Sequence, residues 1–175
     1  MLLYHGSSTG GIAALRPNLS NHGRAYVYLT DCPTLALFYA HNAVGRPGGF
    51  FPYWFDKEGK LHYDEYFPDQ TRRLYEGRSG WVYAAEADGL AQLDKMPWVY
   101  LAEGDVPVSS AAYIPDLYAA LLAAVHDGSL TLHRYEDIPE KQREIHRKVV
   151  RKSLEGHTDD DYVRFLRQHM PEVFE

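Results

Sequence analysis

The chain has 175 residues, of which 45% are hydrophobic and 24% charged, the makeup of one folded domain of roughly 100–200 residues rather than of a disordered or fibrous protein. Its 18 Lys+Arg against 24 Asp+Glu leave a formal charge of −6, which argues against a surface built to neutralise nucleic-acid phosphates but leaves room for a small basic pocket. A single cysteine, Cys32, rules out an internal disulfide and fits a reducing compartment, so a cytoplasmic location without a disulfide-linked partner is expected.

In chain order, Met1-Leu2-Leu3-Tyr4-His5 lacks a basic region followed by an apolar run, so no signal peptide is expected. Nor does any stretch approach the ~18 consecutive apolar residues of a membrane span. Leu2 to His5 reads as a short buried strand that Gly6, Ser7 and Ser8 stop. Residues 9–23 are rich in Gly, Ser, Asn and Pro and read as a loop, with one helical turn near Ile12–Leu15. Tyr26-Val27-Tyr28-Leu29 is a second strand by aromatic and β-branched content. Thr30 or Asp31 caps the following helix, Pro33 suits its first turn, and it runs to about His41 before Gly45 to Gly49 close it.

Residues 50–80 read less directly. Phe50 to Phe55, the turn residues Asp56 to Lys60, and loosely alternating Leu61, Tyr63 and Phe67 form either an aromatic hairpin or a flap over a site. Trp81–Ala85 and Trp98–Ala102 are strands, and Val106 to Ile114 is a weaker one. Pro115–Val125 carries apolar residues at 117, 118, 121, 122 and 125, the spacing of a helix that Gly128 ends. Leu130–Tyr135 alternates as a half-buried strand. From Pro139 to about Leu154 the pattern is an amphipathic helix, and Thr158 with three aspartates after it starts a last helix bearing Tyr162, Phe165 and Leu166. The order predicts an α+β domain.

Familiar catalytic motifs are absent: no Gly-x-Gly-x-x-Gly follows a strand, no Gly-Lys-Ser/Thr occurs, and there is neither a Gly-x-Ser-x-Gly elbow nor a His-Glu-x-x-His. The nine histidines stand apart along the chain. His126 and His133 straddle a turn, while His146 and His157 lie in charged helices, so no clustered metal ligands are expected. Cys32 sits near a helix start that would lower a thiol pKa, but a lone cysteine reads first as a small core residue.

Two segments remain. One is Leu3-Tyr4-His5-Gly6-Ser7; the other is Tyr26-Val27-Tyr28-Leu29-Thr30-Asp31 followed by Ala36-Leu37-Phe38-Tyr39-Ala40, with Tyr39 eleven residues past Tyr28. Together they resemble the diphtheria-toxin-like branch of the ADP-ribosyltransferase superfamily, which includes the poly(ADP-ribose) polymerases and small rifamycin-modifying bacterial enzymes. The resemblance covers residues 2–40, and more weakly 80–90, where Trp81-Val82-Tyr83-Ala84-Ala85-Glu86 is similar to a later strand. It implies a split β-sheet core over residues 1–138 and a helical C-terminal extension over 139–175. It implies NAD as substrate, with His5 holding the adenine-side ribose and Gly6 the carboxamide in a His5-Gly6-Ser7 binding segment. Tyr28 and Tyr39 would bracket the nicotinamide ring.

The chemistry is intelligible from the residues. Nicotinamide leaves NAD by cleavage of an N-glycosidic bond through an oxocarbenium-like state, and tyrosine faces attract a flat cation by about 0.5–2 kcal/mol each. Two departures from the family pattern stand out. Ala36 occupies the position of a serine that assists the carboxamide, and residues 108–114 lack the acid that usually opens a late strand. Glu103 and Glu136 are the substitutes, with Glu86 a third.

The leading expectation is thus a mono-ADP-ribosyltransferase acting on a protein, nucleic-acid or small-molecule acceptor. One alternative is a non-catalytic domain of the same fold that binds NAD, ADP-ribose or a protein. Another is a tRNA 2′-phosphotransferase-like enzyme, for which Arg16, Arg24, Arg46, Arg72 and Arg73 would supply phosphate contacts.

Overall fold

The computed structural model describes residues 1–19, 24–41, 52–94 and 96–175. Its first elements are β1 (Leu2–Ser7), β2 (Ala14–Leu15), β3 (Asn18–Leu19), β4 (Ala25–Thr30) and α1 (Pro33–Leu37). Then come β5 (Tyr53–Phe55), β6 (Leu61–Asp64), α2 (Gln70–Tyr75), β7 (Gly80–Glu86), β8 (Ala91–Leu93) and β9 (Met96–Ala102). The chain continues through β10 (Val106–Pro107), β11 (Ser110–Ile114), α3 (Leu117–His126), β12 (Leu130–His133), α4 (Glu140–Ser153) and α5 (Asp161–His169). This mixture of helices and mainly antiparallel strands is an α+β architecture.

The chain forms two compact units, one from residues 1–42 and 75–123, the other from 43–74 and 124–175. Residues 124–138 therefore belong with the C-terminal helices. Among the described residues no helix is long and apolar enough to cross a membrane, and Cys32 is a free thiol.

The first unit is built on a sheet in the order β11-β7-β1-β4-β9-β8, with β3 added beside β4. β1 and β7 pair along their whole length, from Leu2 opposite Glu86 to Ser7 opposite Trp81. Side chains alternate across a strand, so Leu3, His5 and Ser7 share one face of β1 while Leu2, Tyr4 and Gly6 share the other. The first face carries the core: Leu3, Val27, Leu29, Tyr83 and Ala85 are all at most 2% exposed and pack together with Tyr100 and Ala102. Each large apolar side chain buried in this way contributes about 1.5–3 kcal/mol. On the opposite face the backbone of α1 lies directly on β1. A Cβ added at Gly6 would stand 2.1 Å from the Ala36 carbonyl oxygen, and one at Gly80 would stand 1.8 Å from that of Ala40.

Several expectations are corrected in this unit. Residues 14–15 form a strand paired with β10, not a helical turn. α1 ends at Leu37, short of His41, because the backbone tightens into turns in which Phe38, Tyr39 and Ala40 each bond back three residues. The residue at its N-cap is Cys32, which makes no side-chain cap bond. Thr30 instead accepts from the Cys32 N–H at 3.1 Å, and Asp31 accepts from the Tyr100 hydroxyl at 3.2 Å. The helix-closing glycines 45–49, Arg46, Phe50 and Phe51 lie outside the described residues, as do 20–23 of the loop.

In the second unit β5 and β6 form an antiparallel hairpin, one of the two readings weighed for that stretch. Its turn is held by the Asp56 carboxylate, which accepts from the backbone N–H groups of Glu58 at 3.0 Å and Lys60 at 2.8 Å, with Gly59 at φ +80°. β12 returns parallel to β6. α4 falls within one residue of the expected span, and α5 starts from Asp160, whose side chain accepts from the N–H groups of Tyr162 and Val163. α2 has no counterpart in the sequence reading. A buried network holds it: Glu65, Gln70 and Thr71 are fully buried, Glu65 accepts from the Thr71 N–H at 2.9 Å, and Gln70 donates to the Tyr63 hydroxyl at 2.7 Å.

Candidate functional site

The His5 segment borders a groove of about 470 Å³ whose walls include His5, Ser7, Ile12, Arg16, Tyr26 and Tyr28. β1 and β4 meet at Tyr4 opposite Thr30. Next along β1, the His5 ring bonds to the main chain of Tyr28. A carbonyl only accepts, so His5 Nδ1–H donates to the Tyr28 oxygen at 2.8 Å. That assignment leaves Nε2 of the neutral ring as an acceptor. Burial lowers the His5 pKa, with the bond to Tyr28 opposing it in part. A neutral imidazole with a fixed tautomer is a receptor for a hydroxyl donor.

The sign of that shift gives a stability prediction. The unfolded ring takes a proton near 6.5, whereas the folded one resists it to lower pH, so the unfolded state binds more protons and stability falls as pH drops through that window. His169, lowered by burial and by Arg73, acts in the same direction. His5→Gln is expected to flatten the decline between pH 7 and 5, measured as the shift of the urea midpoint. An unchanged slope would remove His5 from the account.

Strand alternation separates the other predicted residues. Tyr4 and Thr30 are opposite each other and share a face, so Tyr28, two residues from Thr30, projects on the Gly6 side, away from the His5 ring. Its ring meets Tyr26 edge-on at 6.2 Å. Tyr39 follows α1 in the turn, with its main chain against Gly6, and the groove's walls do not include it. Gly6 is thus required first by the helix backbone that covers it. Glu103 is exposed just beyond β9, where its charge acts on Arg24, whose guanidinium bonds Tyr26 and is held above its ordinary value. With Ala102 opposite Val27, Glu103 follows on the Tyr26 side of β4, and the groove's walls do not include it. Glu86 stands opposite Leu2, on the face away from His5. Glu136 is exposed in a 3₁₀ turn of the second unit. Of the arginines, Arg16 lines the groove, while Arg72 and Arg73 lie in α2.

The sequence does not disclose the part that Tyr83 plays. The buried Tyr83 hydroxyl donates to the Thr9 carbonyl at 2.7 Å and accepts from the Ile12 N–H at 3.3 Å, tying the segment that bears the groove's Ile12 to the sheet. Its place in a β-strand was legible, but its partners were not. Arg16 is a largely exposed cation, 3.8 Å from Asp105. Burial pushes the Cys32 thiol up, which disfavours the thiolate that a nucleophile needs.

The expectation that the histidines stand apart is corrected in the second unit. His133 and His146 approach the Asp64 carboxylate, His146 Nε2 to 3.3 Å and His133 Nε2 to 4.0 Å, and His62 Nδ1 is 2.9 Å from His133 Nε2. The parallel pairing of β6 and β12, with α4 alongside, brings His133 and His146 against residues 69 to 82 positions earlier in the chain. No family model, curated protein or solved structure matches this chain.

Proposed function

We propose that the chain is an NAD-dependent mono-ADP-ribosyltransferase whose dinucleotide lies between β1 and β4. The observation that carries this reading is the neutral His5 ring, locked by its bond to Tyr28 and lining one groove with it. In this reading the His5 and Tyr28 rings flank the dinucleotide from opposite faces of the strands, and Gly6 offers only its main chain. His5 Nε2 accepts from a hydroxyl of the adenine-side ribose, the Gly6 main chain holds the carboxamide, and Tyr28 with Tyr39 brackets the nicotinamide ring. The C1′–N bond breaks, nicotinamide leaves with the bonding pair, and an acceptor nucleophile attacks C1′. Glu103 is the acid that steadies the developing cation and takes the acceptor's proton.

A second reading rests on a specific feature: among the described residues lining the groove there is no carboxylate. It is a domain that binds NAD or ADP-ribose without turnover. Incubating the protein with NAD and measuring released nicotinamide separates the two. Turnover that falls about 10²-fold or more in His5→Ala, Tyr39→Ala and Glu103→Gln, but not in Glu136→Gln, supports the transferase. Binding without nicotinamide release supports the second reading. No binding of NAD or ADP-ribose overturns both.

A further inference from the structure

The second unit contains its own groove, of about 530 Å³, bordered by β5, β6, β12 and α4. Its polar centre is Asp64. The carboxylate accepts from Trp54 Nε1 at 3.2 Å, lies 3.3 Å from His146 Nε2 and 4.0 Å from His133 Nε2, and its side chain is only 14% exposed. Burial alone would raise its pKa, but the bonds from His146 and Trp54 and the neighbouring imidazoles outweigh burial and hold it below the usual carboxylate value. It is therefore an ionised acceptor. Burial, and then the Asp64 charge, push the Tyr66 phenol up to about 12, so that wall stays neutral.

The Asp56 carboxylate can only accept, so His62 Nε2, 3.1 Å away, carries a proton. His62 Nδ1 and His133 Nε2 are 2.9 Å apart and share one hydrogen bond, so His133 turns this nitrogen toward His62. His146 Nε2 lies between Asp64 Oδ2 at 3.3 Å and the Gln142 amide nitrogen at 3.1 Å. Its Nδ1 is buried without a hydrogen-bond partner, on a side chain that is 5% exposed. The site thus offers the Asp64 carboxylate and an unpartnered imidazole nitrogen, with Asp137 as a second carboxylate on its wall. Gln142 adds an amide to the wall, and the rest is mostly rings and aliphatic groups. Trp54 lies parallel to His62 at 4.0 Å and Tyr66 to His146 at 4.2 Å, while Ile145 and Val149 of α4 stay exposed at 44% and 55%.

Acceptors set among aromatic faces match a positive group that carries N–H donors and an apolar stem. A bare metal ion fits less well, because among the described residues no three ligating groups come together to hold one. We propose that this groove is a binding site for an organic cation, a guanidinium or primary ammonium group on an aliphatic stem, with Asp64 as its counter-ion. It lies wholly within the second unit and stands independently of the dinucleotide reading.

Calorimetric titration of the full chain with butylguanidinium, and with its neutral isostere butylurea, tests this. Butylguanidinium is expected to bind in the millimolar range or tighter, with butylurea and the Asp64→Asn protein each about tenfold weaker. Val149→Lys, at an exposed rim position, places a tethered ammonium at the groove and is expected to weaken binding as well, without touching the buried cluster. N-acetylarginine amide distinguishes the source: tighter binding than butylguanidinium identifies a side chain of a partner protein, and weaker binding a free small cation. Equal affinity for butylurea and butylguanidinium overturns the proposal. So does a folded protein that takes up neither cation, or binding unchanged in both variants.

Discussion

Gly80→Ala is expected to destabilise the first unit by about 3 kcal/mol or more, the upper range for forcing atoms into a close-packed site. The reason is specific. The added methyl would stand 1.8 Å from the carbonyl oxygen of Ala40 and 2.5 Å from its carbon, and a backbone carbonyl within a hydrogen-bonded turn cannot swing aside as a side-chain tip can. Gly6→Ala meets the Ala36 carbonyl at 2.1 Å and should behave alike. Gly77→Ala is the comparison: its φ of +66° is strained for alanine, yet a Cβ there meets nothing within 4 Å. Denaturant midpoints that rank Gly6 and Gly80 well above Gly77 support direct seating of α1 on the sheet. Equal, small losses at all three would contradict it.

The second large effect is expected at Glu65. This carboxylate is fully buried and receives the N–H of Thr71 at 2.9 Å, that of Tyr135 at 3.3 Å and the Arg134 guanidinium at 3.2 Å. It joins the start of α2 to the end of β12. Glu65→Ala leaves two main-chain donors and a cation without this acceptor, a loss of about 3–5 kcal/mol by analogy with broken buried ion pairs. Glu65→Gln keeps the shape and one acceptor oxygen and should recover a good part of it. The Arg134 side chain is 34% exposed, so Arg134→Met should cost less than Glu65→Ala, since water can reach the cation's side of the pair. Urea unfolding of the three variants gives the order directly, and a benign Glu65→Ala would mean that α2 is anchored by other contacts.

These two predictions rest on features that differ in how far the sequence disclosed them. Gly6 stands out in the sequence as the centre of a His-Gly-Ser segment, where the resemblance puts a ligand's carboxamide against it. The structure has the α1 backbone in that space. Glu65 drew no notice, because a glutamate between Asp64 and Tyr66 looks like any other polar residue until three separated donors converge on it. α2 was missed for the same reason. Its six residues, Gln70–Tyr75, are too few to show a helical period, and their start is satisfied by Glu65 and Gln70 through contacts that no local rule describes. The short strands β2, β3 and β8 are likewise set by their partners, not by their own two or three residues.

What the chain determined locally was the type of its longer elements. Alternation in Leu2–Ser7 and Ala25–Thr30, the apolar runs of β7 and β9, and the amphipathic spacing of α4 are consequences of side-chain direction along a strand or helix, and that direction is a property of consecutive residues. Which strands adjoin, on which face each ring emerges, and which acids come near a groove depend on register and crossover. Those are decided by the burial of the whole core and the pairing of its polar groups. Hence His5 and Tyr28 could be named from their order, but the hydrogen bond that fixes the imidazole tautomer could not. The meeting of His133 and His146 at Asp64, with His62 bonded to His133, is invisible along the chain, because only the parallel return of β12 beside β6, with α4 alongside, brings those side chains together.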